Sequence, residues 1–232
     1  MSTKTLPTFD DPGTGTGEYS RLRFLVQSIL GTMGTSTLVR VVAVTNSGGL
    51  SPVGFIDAQP LVNQTDAVGH VVPHGVLHHL PYFRLQGGAN AVILDPQPGD
   101  IGIAVFASRD LSKVKATKAQ AAPGSARMFS MSDGLYIGGL LNGTPSQYVQ
   151  FNAGGITLTS PSAITLNAPE CTINANTTVN GTFSQGMGAA GGTATMLGPV
   201  TVTNDVSAGG KSLTTHVHSG VQTGSGNTGE PL

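Results

Sequence analysis

Between Gln150 and Leu232 the sequence carries only four charged residues, Glu170, Asp205, Lys211 and Glu230. Within that stretch a short unit recurs in which two apolar residues flank a threonine: Ile156-Thr157-Leu158, Ile164-Thr165-Leu166, Cys171-Thr172-Ile173 and Val200-Thr201-Val202. The first three units start 8 and then 7 residues apart. Residues i and i+2 of a strand project to one face, so each unit turns two apolar side chains one way and a hydroxyl the other. Strands this short do not make an independent sheet. Repeated at this interval, with Gly, Pro, Asn and Ala in the connections, they suit a β-helix in which each strand stacks on the next. The apolar face of one such chain is too thin to offset its own ordering entropy. Winding several chains round a common axis would bury it, so an obligate oligomer with an intertwined shaft over residues 150–210 is expected.

Composition supports that expectation. Of 232 residues 33 are glycine, none is tryptophan and 5% are aromatic, which leaves few large side chains for a globular core. The net charge is −1 and the 11 basic residues are thinly spread, so nucleic acid is not expected as a partner, because phosphate binding needs clustered Lys and Arg. The densest basic run, Lys113, Lys115 and Lys118, reads as a solvated linker. Cys171 is the single cysteine, which excludes an intramolecular disulfide, and its place on the apolar face of its unit predicts packing rather than reactivity. Met1 to Asp11 lacks the basic and apolar regions of a signal peptide, and no apolar run reaches the ~20 residues of a membrane helix. Synthesis in the cytoplasm is expected.

The N-terminal half has a different texture. Residues 1–35 form an extension in which Leu22, Leu25, Val26, Ile29 and Leu30 follow helical spacing, predicting a short helix over Glu18 to Leu30 that stops at Gly31. Residues 36–115 read as short strands: Leu38 to Val44, Gly54 to Ala58, Phe83 to Leu85, Ala91 to Leu94 and Ile101 to Phe106. Five or so strands with Gly and Pro turns over ~80 residues suit a small Greek-key barrel of the OB type, with a small sandwich as the competing arrangement. Residues 116–149 are expected to be a linker and the start of the β-helix.

The C-terminal segment, residues 211–232, contains His216-Val217-His218. On an extended strand both imidazoles project to the same side. Two ligands from one chain make a poor metal site, whereas around a threefold axis the same pair would supply six nitrogens to one point. Imidazole suits Fe, Ni, Cu and Zn, and six-fold coordination disfavours zinc, which takes four ligands in structural sites. A closed shell leaves no position for a substrate, so the role would be structural. Other signals carry less. His70, His74, His78 and His79 have spacings that would partly align on a helix, but Pro73 and Gly75 interrupt it, and a loop or subunit-interface role is expected. Gly186 to Gly191 matches the letters of a dinucleotide fingerprint without the helix or the acidic residue the fold needs. Gly210-Lys211-Ser212 ends like a phosphate loop, but Asp205 stands where its first glycine belongs. No nucleophile elbow, zinc-protease motif or paired acids appear, so the chain is not expected to be an enzyme.

The His216-Val217-His218 pair, followed by Gly220-Val221-Gln222-Thr223-Gly224 and Gly226-Asn227-Thr228-Gly229, resembles the apex of the central spike proteins of contractile-tailed phages, the baseplate assembly protein V-like family. Leu80 to Gly88, with Asp95, Gly99-Asp100 and Val105-Phe106, is similar to that family's OB domain, and the polar stretch between resembles its β-helix. The resemblance spans roughly residues 35–232 and leaves the first ~35 residues outside it; the insert Gln185 to Met196 is longer and more Gly-rich than a regular β-helix turn. It implies an all-β homotrimer with an OB-fold collar, an intertwined trimeric β-helix and a metal-capped apex. It also implies one iron ion per trimer, held by His216 and His218 of all three chains. It places the protein at the tail baseplate tip of the virion, docked on tail hub proteins and driven through the host outer membrane on sheath contraction. The alternative in another class is a trimeric β-structured tail fibre or adhesin that binds a host receptor.

Overall fold

A computed structural model describes residues 17–46, 48–66, 68–186, 192–220, 222 and 224–225. The chain divides into two compact units, Met1–Ile164 and Thr165–Leu232. The first contains helix α1 (Glu18–Thr32), strands β1 (Ser36–Val44), β2 (Phe55–Pro60), β3 (Gln64–Thr65), β4 (Val71–Val72), β5 (Leu77–Pro81), β6 (Leu85–Gly87), β7 (Asn90–Val92) and β8 (Ile101–Phe106). It continues with helix α2 (Ser112–Thr117), a 3-10 turn (Met131–Asp133), β9 (Gly134–Gly138), β10 (Tyr148–Asn152) and β11 (Gly155–Thr159). The second unit contains β12 (Ser207–Ala208) and β13 (Lys211–Ser212). Among the described residues no helix is long and apolar enough to cross a membrane.

Helix α1 carries the expected stripe and runs two residues past the predicted end, closing where the Met33 N–H donates to the Leu30 carbonyl. Leu22, Leu25, Val26, Ile29 and Leu30 all stay exposed in the single chain.

Five strands form one antiparallel sheet in the order β5-β2-β1-β8-β9. The β1–β2 register shifts between Val41 and Ala43, a bulge that bends the sheet. The sheet curls so far that its two edges meet: Tyr82, just past β5, bridges Tyr136 of β9 in parallel, and the Phe83 N–H donates to the Tyr136 carbonyl at 2.8 Å. Period-two side chains from the inner face make the core: Val39 and Val41, Ile56 and Ala58, Ala104 and Phe106, with Leu80, Tyr82 and Tyr136.

Strand β9 falls in the stretch expected to be linker, residues 116–149, so the sheet extends beyond the 36–115 boundary. Two glycines flank only three apolar residues there, which hid the alternation from a sequence reading. Those glycines have a packing reason. A Cβ on Gly134 would come 2.8 Å from Leu80 and one on Gly138 3.0 Å from the Tyr136 ring, and across the ladder one on Gly102, the β8 partner of Gly138, would sit 2.5 Å from that same ring. Helix α2 occupies part of the basic run read as a linker, ending at Lys118 in the left-handed region (φ 53°).

Two buried polar networks hold the loops to this sheet. Arg84 and the Tyr82 hydroxyl both donate to Asp95 Oδ1, the hydroxyl at 2.7 Å, while the Gly48 N–H donates to Oδ2 and Arg84 Nη1 reaches the Ser51 carbonyl at 2.8 Å. Burial pushes the Asp95 carboxyl up, but the donors from Arg84, Tyr82 and Gly48 outweigh it and hold it below the usual carboxylate range. In the second network Arg127 clamps buried Asp133 through Nε (2.8 Å) and Nη2 (3.0 Å), and the Leu111 N–H donates to the same carboxylate.

The repeating units behave differently. Ile156-Thr157-Leu158 lies in β11, paired with β10 as a hairpin. Among the described residues of 160–206 no strand forms. Leu166 (74%), Ile173 (65%) and Val200 (62%) are mostly exposed, and Cys171, expected to pack, is exposed as well. The expected stack of short strands is thus not made within one chain. A three-residue segment offers too few ladder bonds to order itself without a neighbour.

The core makes a paired prediction. Gly102→Ala should destabilise the protein by about 1–3 kcal/mol through overpacking against Tyr136. The buried Tyr136 hydroxyl has no hydrogen-bond partner among the described residues, and burial together with the Asp100 charge pushes it up to about 12. Tyr136→Phe should therefore leave the melting temperature unchanged or raised. Calorimetry of both variants checks the pair.

Candidate metal-binding apex

The C-terminal unit is organised by one small hairpin. Strands β12 and β13 pair Ser207 with Ser212 and Ala208 with Lys211. The two residues between them, Gly209 (φ 55°) and Gly210 (φ 76°), both take positive φ, as a two-residue I′ hairpin turn requires. Gly210-Lys211-Ser212 is thus a hairpin turn and strand, which accounts for its phosphate-loop-like letters.

Past β13 the chain turns on itself. The Leu213 N–H donates to the Val206 carbonyl at 2.8 Å, the Thr214 N–H to Asp205 Oδ1 at 3.2 Å, and the Thr215 N–H to Ser212 Oγ at 3.0 Å. Hydroxyl hydrogen bonds from Ser212 and Thr214, helped by backbone N–H groups, hold the Asp205 carboxyl down at about 2. The His216 N–H then donates to the Ser212 carbonyl at 3.2 Å.

His216 Nδ1 lies 3.0 Å from both the Ser212 and Leu213 carbonyl oxygens. Carbonyls only accept, so Nδ1 must carry the hydrogen, and in the neutral ring Nε2 is left as the lone-pair nitrogen. The His218 ring meets His216 edge-to-face, with centroids 5.0 Å apart and planes at 76°. The pair follows a turn and does not lie in an extended strand, so the rings meet edge to face through the local turn and not through strand alternation. Val217, between them, is 91% exposed. Among the described residues no group of three or more His, Cys, Asp or Glu converges as a metal site. His216 and His218 place two imidazoles against each other within one chain.

The other histidines are dispersed. His70 Nδ1 pairs with Asp66 at 2.9 Å, His78 Nδ1 with Asp57 at 2.9 Å, and His79 stacks on Phe55 at 4.2 Å, while the His74 carbonyl accepts from Gln59. Each has its own local partner. Of the segment read as an apex, Val221, Thr223 and residues 226–232 lie outside the described residues, as do 187–191 of the fingerprint-like stretch.

Residues 212–231 match the GpV Apex motif. This motif is the apex of phage baseplate spike proteins of the GpV-like family. The match begins at Ser212, the residue whose carbonyl holds His216, and contains both histidines. In that family the apex binds metal, and the match points to a phage spike or baseplate component, a structural role in the virion tail. No curated protein matches the chain at a significant level.

The sequence reading of the apex singled out the two histidines and passed over Asp205, Ser212 and the Gly209-Gly210 turn. The Gly-Gly pair between two short polar and apolar runs was the available signal, since such pairs mark I′ hairpins.

The Asp205 carboxyl should titrate with a midpoint near 2, seen in the Thr214 amide proton shift, rather than near the unfolded value of about 4. Its folded value is depressed, so the loop's extra stability is complete above about pH 4 and is lost as pH falls through about 2.

Proposed function

We propose that this chain is one subunit of a homotrimeric central spike at the tip of a contractile phage tail or related injection machine, and that the spike pierces the host outer membrane when the sheath contracts. The observation that carries the reading is the apex motif over residues 212–231, with His216 and His218 inside it. The exposed apolar units of the shaft support it, because neighbouring copies wound on a common axis would cover them as a trimeric β-helix. The strand order β5-β2-β1-β8-β9, with a parallel bridge joining its ends, supports an OB-type collar whose last strand is β9. That collar would be the wide end that docks on tail hub proteins.

At the apex, His216 and His218 of three chains would hold one ion, and iron follows from the family likeness. When bound, the ion cross-links three tails and fixes the end where fraying is otherwise expected. His216 enters such a site already in the tautomer it needs, with Nδ1–H on backbone carbonyls and Nε2 bare. The role is mechanical, and catalysis has no part in it.

Elemental analysis of the purified protein should give about one iron per three chains. Absence of metal, or one ion per chain, overturns the apex assignment. His216→Ala with His218→Ala should abolish the metal while the shaft and collar keep their assembly; collapse of the whole assembly would give the ion a larger role than the one proposed.

A further inference from the structure

The hydrogen bonds around the apex hairpin form a chain that ends on His216. Asp205 accepts from the Thr214 N–H at 3.2 Å, and the Thr214 and Ser212 hydroxyls are hydrogen-bonded to each other at 3.1 Å. Ser212 and Leu213 present their carbonyl oxygens to His216 Nδ1, each at 3.0 Å. Ser212 also accepts the His216 N–H on its carbonyl and the Thr215 N–H on its hydroxyl. Thr214 is therefore held by Asp205 directly and Ser212 through the Thr214 hydroxyl, while the Leu213 N–H is held by the Val206 carbonyl.

We infer that Asp205 is a positioning residue for the apex: by gathering Thr214 and Ser212 it sets the two carbonyls that lock the His216 tautomer and aim its Nε2. Asp205 precedes the matched motif by seven residues and touches neither histidine in the contacts described. Its action is indirect. A carboxylate suits the task because it accepts several donors at once, whereas an amide of the same shape keeps one oxygen acceptor and turns donors toward the second site. Without Asp205 the 212–214 turn keeps the hairpin pairing of β12 and β13 but loses the anchor at its far side.

This inference rests on the apex being a metal site for its consequence, though not for its geometry. The test therefore reads both. Full-length wild type, Asp205→Asn and Asp205→Ala are compared with His216→Ala as a control. The first readout is the affinity for Fe²⁺ added to chelator-stripped protein. The second is the His216 ring tautomer in the same stripped protein, from its imidazole nitrogen chemical shifts. Asp205→Ala should weaken Fe²⁺ binding about 10- to 100-fold, the range for loss of groups that orient a ligating imidazole. It should also erode the Nδ1–H population, with the solution mass unchanged. Asp205→Asn should recover part of both, because it retains one acceptor for the Thr214 N–H. Should Asp205→Ala fail to assemble, Asp205→Asn alone decides by the same two readouts. A wild-type tautomer population in these variants overturns the inference, as does wild-type Fe²⁺ affinity. If wild type binds no Fe²⁺, the metal reading fails, and the tautomer comparison still decides whether Asp205 positions His216.

Discussion

The controlling constraint on this protein is that the described residues of its C-terminal half leave their apolar side chains exposed in the single chain. The recurring apolar-Thr-apolar units are about three residues long, and within one chain only the first, in β11, finds a strand partner. Leu166, Ile173 and Val200 are left facing outward. At roughly 25 cal/mol per Å² of apolar surface, a shaft of such units forgoes much of the stabilisation available to it until something covers them. Neither a longer strand nor a larger side chain is available in a stretch with so few aromatics. On the proposed reading the partner is another chain, since identical copies would offer the same unit at the same height.

The curled sheet of the N-terminal unit solves the same problem by a different route. Its strands are long enough to pair, its inner face alternates correctly, and its sheet curls until the edges meet at Tyr82 and Tyr136. Small residues make this possible. Gly102 and Gly134 leave the space that Tyr136, Leu80 and Phe106 fill. Among the described residues the buried charges are paired, as Arg84 with Asp95 and Asp133 with the more exposed Arg127, and both pairs fasten loops rather than strands. At the apex the same economy appears on a smaller scale: one glycine pair makes the turn, one carboxylate gathers the following loop, and two carbonyls set a histidine ring.

Much of this was legible in the sequence where a period was long enough to register. Helix α1 and strands β1, β2 and β8 follow their apolar spacing to within a few residues. Strand β9 did not register because glycine at both ends diluted it, so the curled sheet's last strand passed for linker. The predicted strand at Phe83 to Leu85 lies slightly later, at Leu85–Gly87, because Phe83 gives its N–H to the bridge with β9 instead. His216 and His218 were legible as a neighbouring pair from their spacing of two residues, although they lie past a turn and not on a strand. The contact that fixes the His216 tautomer was not, since it depends on backbone carbonyls that only the folded turn brings to Nδ1. Asp205 was invisible for the same reason: its partners are hydroxyls and amides seven and nine residues away.

The shaft, the shared apex ion and the piercing role all require three copies on one axis. Light scattering of the full-length protein in dilute solution tests that requirement most directly. The account predicts a particle of three times the 23.5 kDa chain mass that persists on dilution. A well-folded particle of a single chain mass would contradict it.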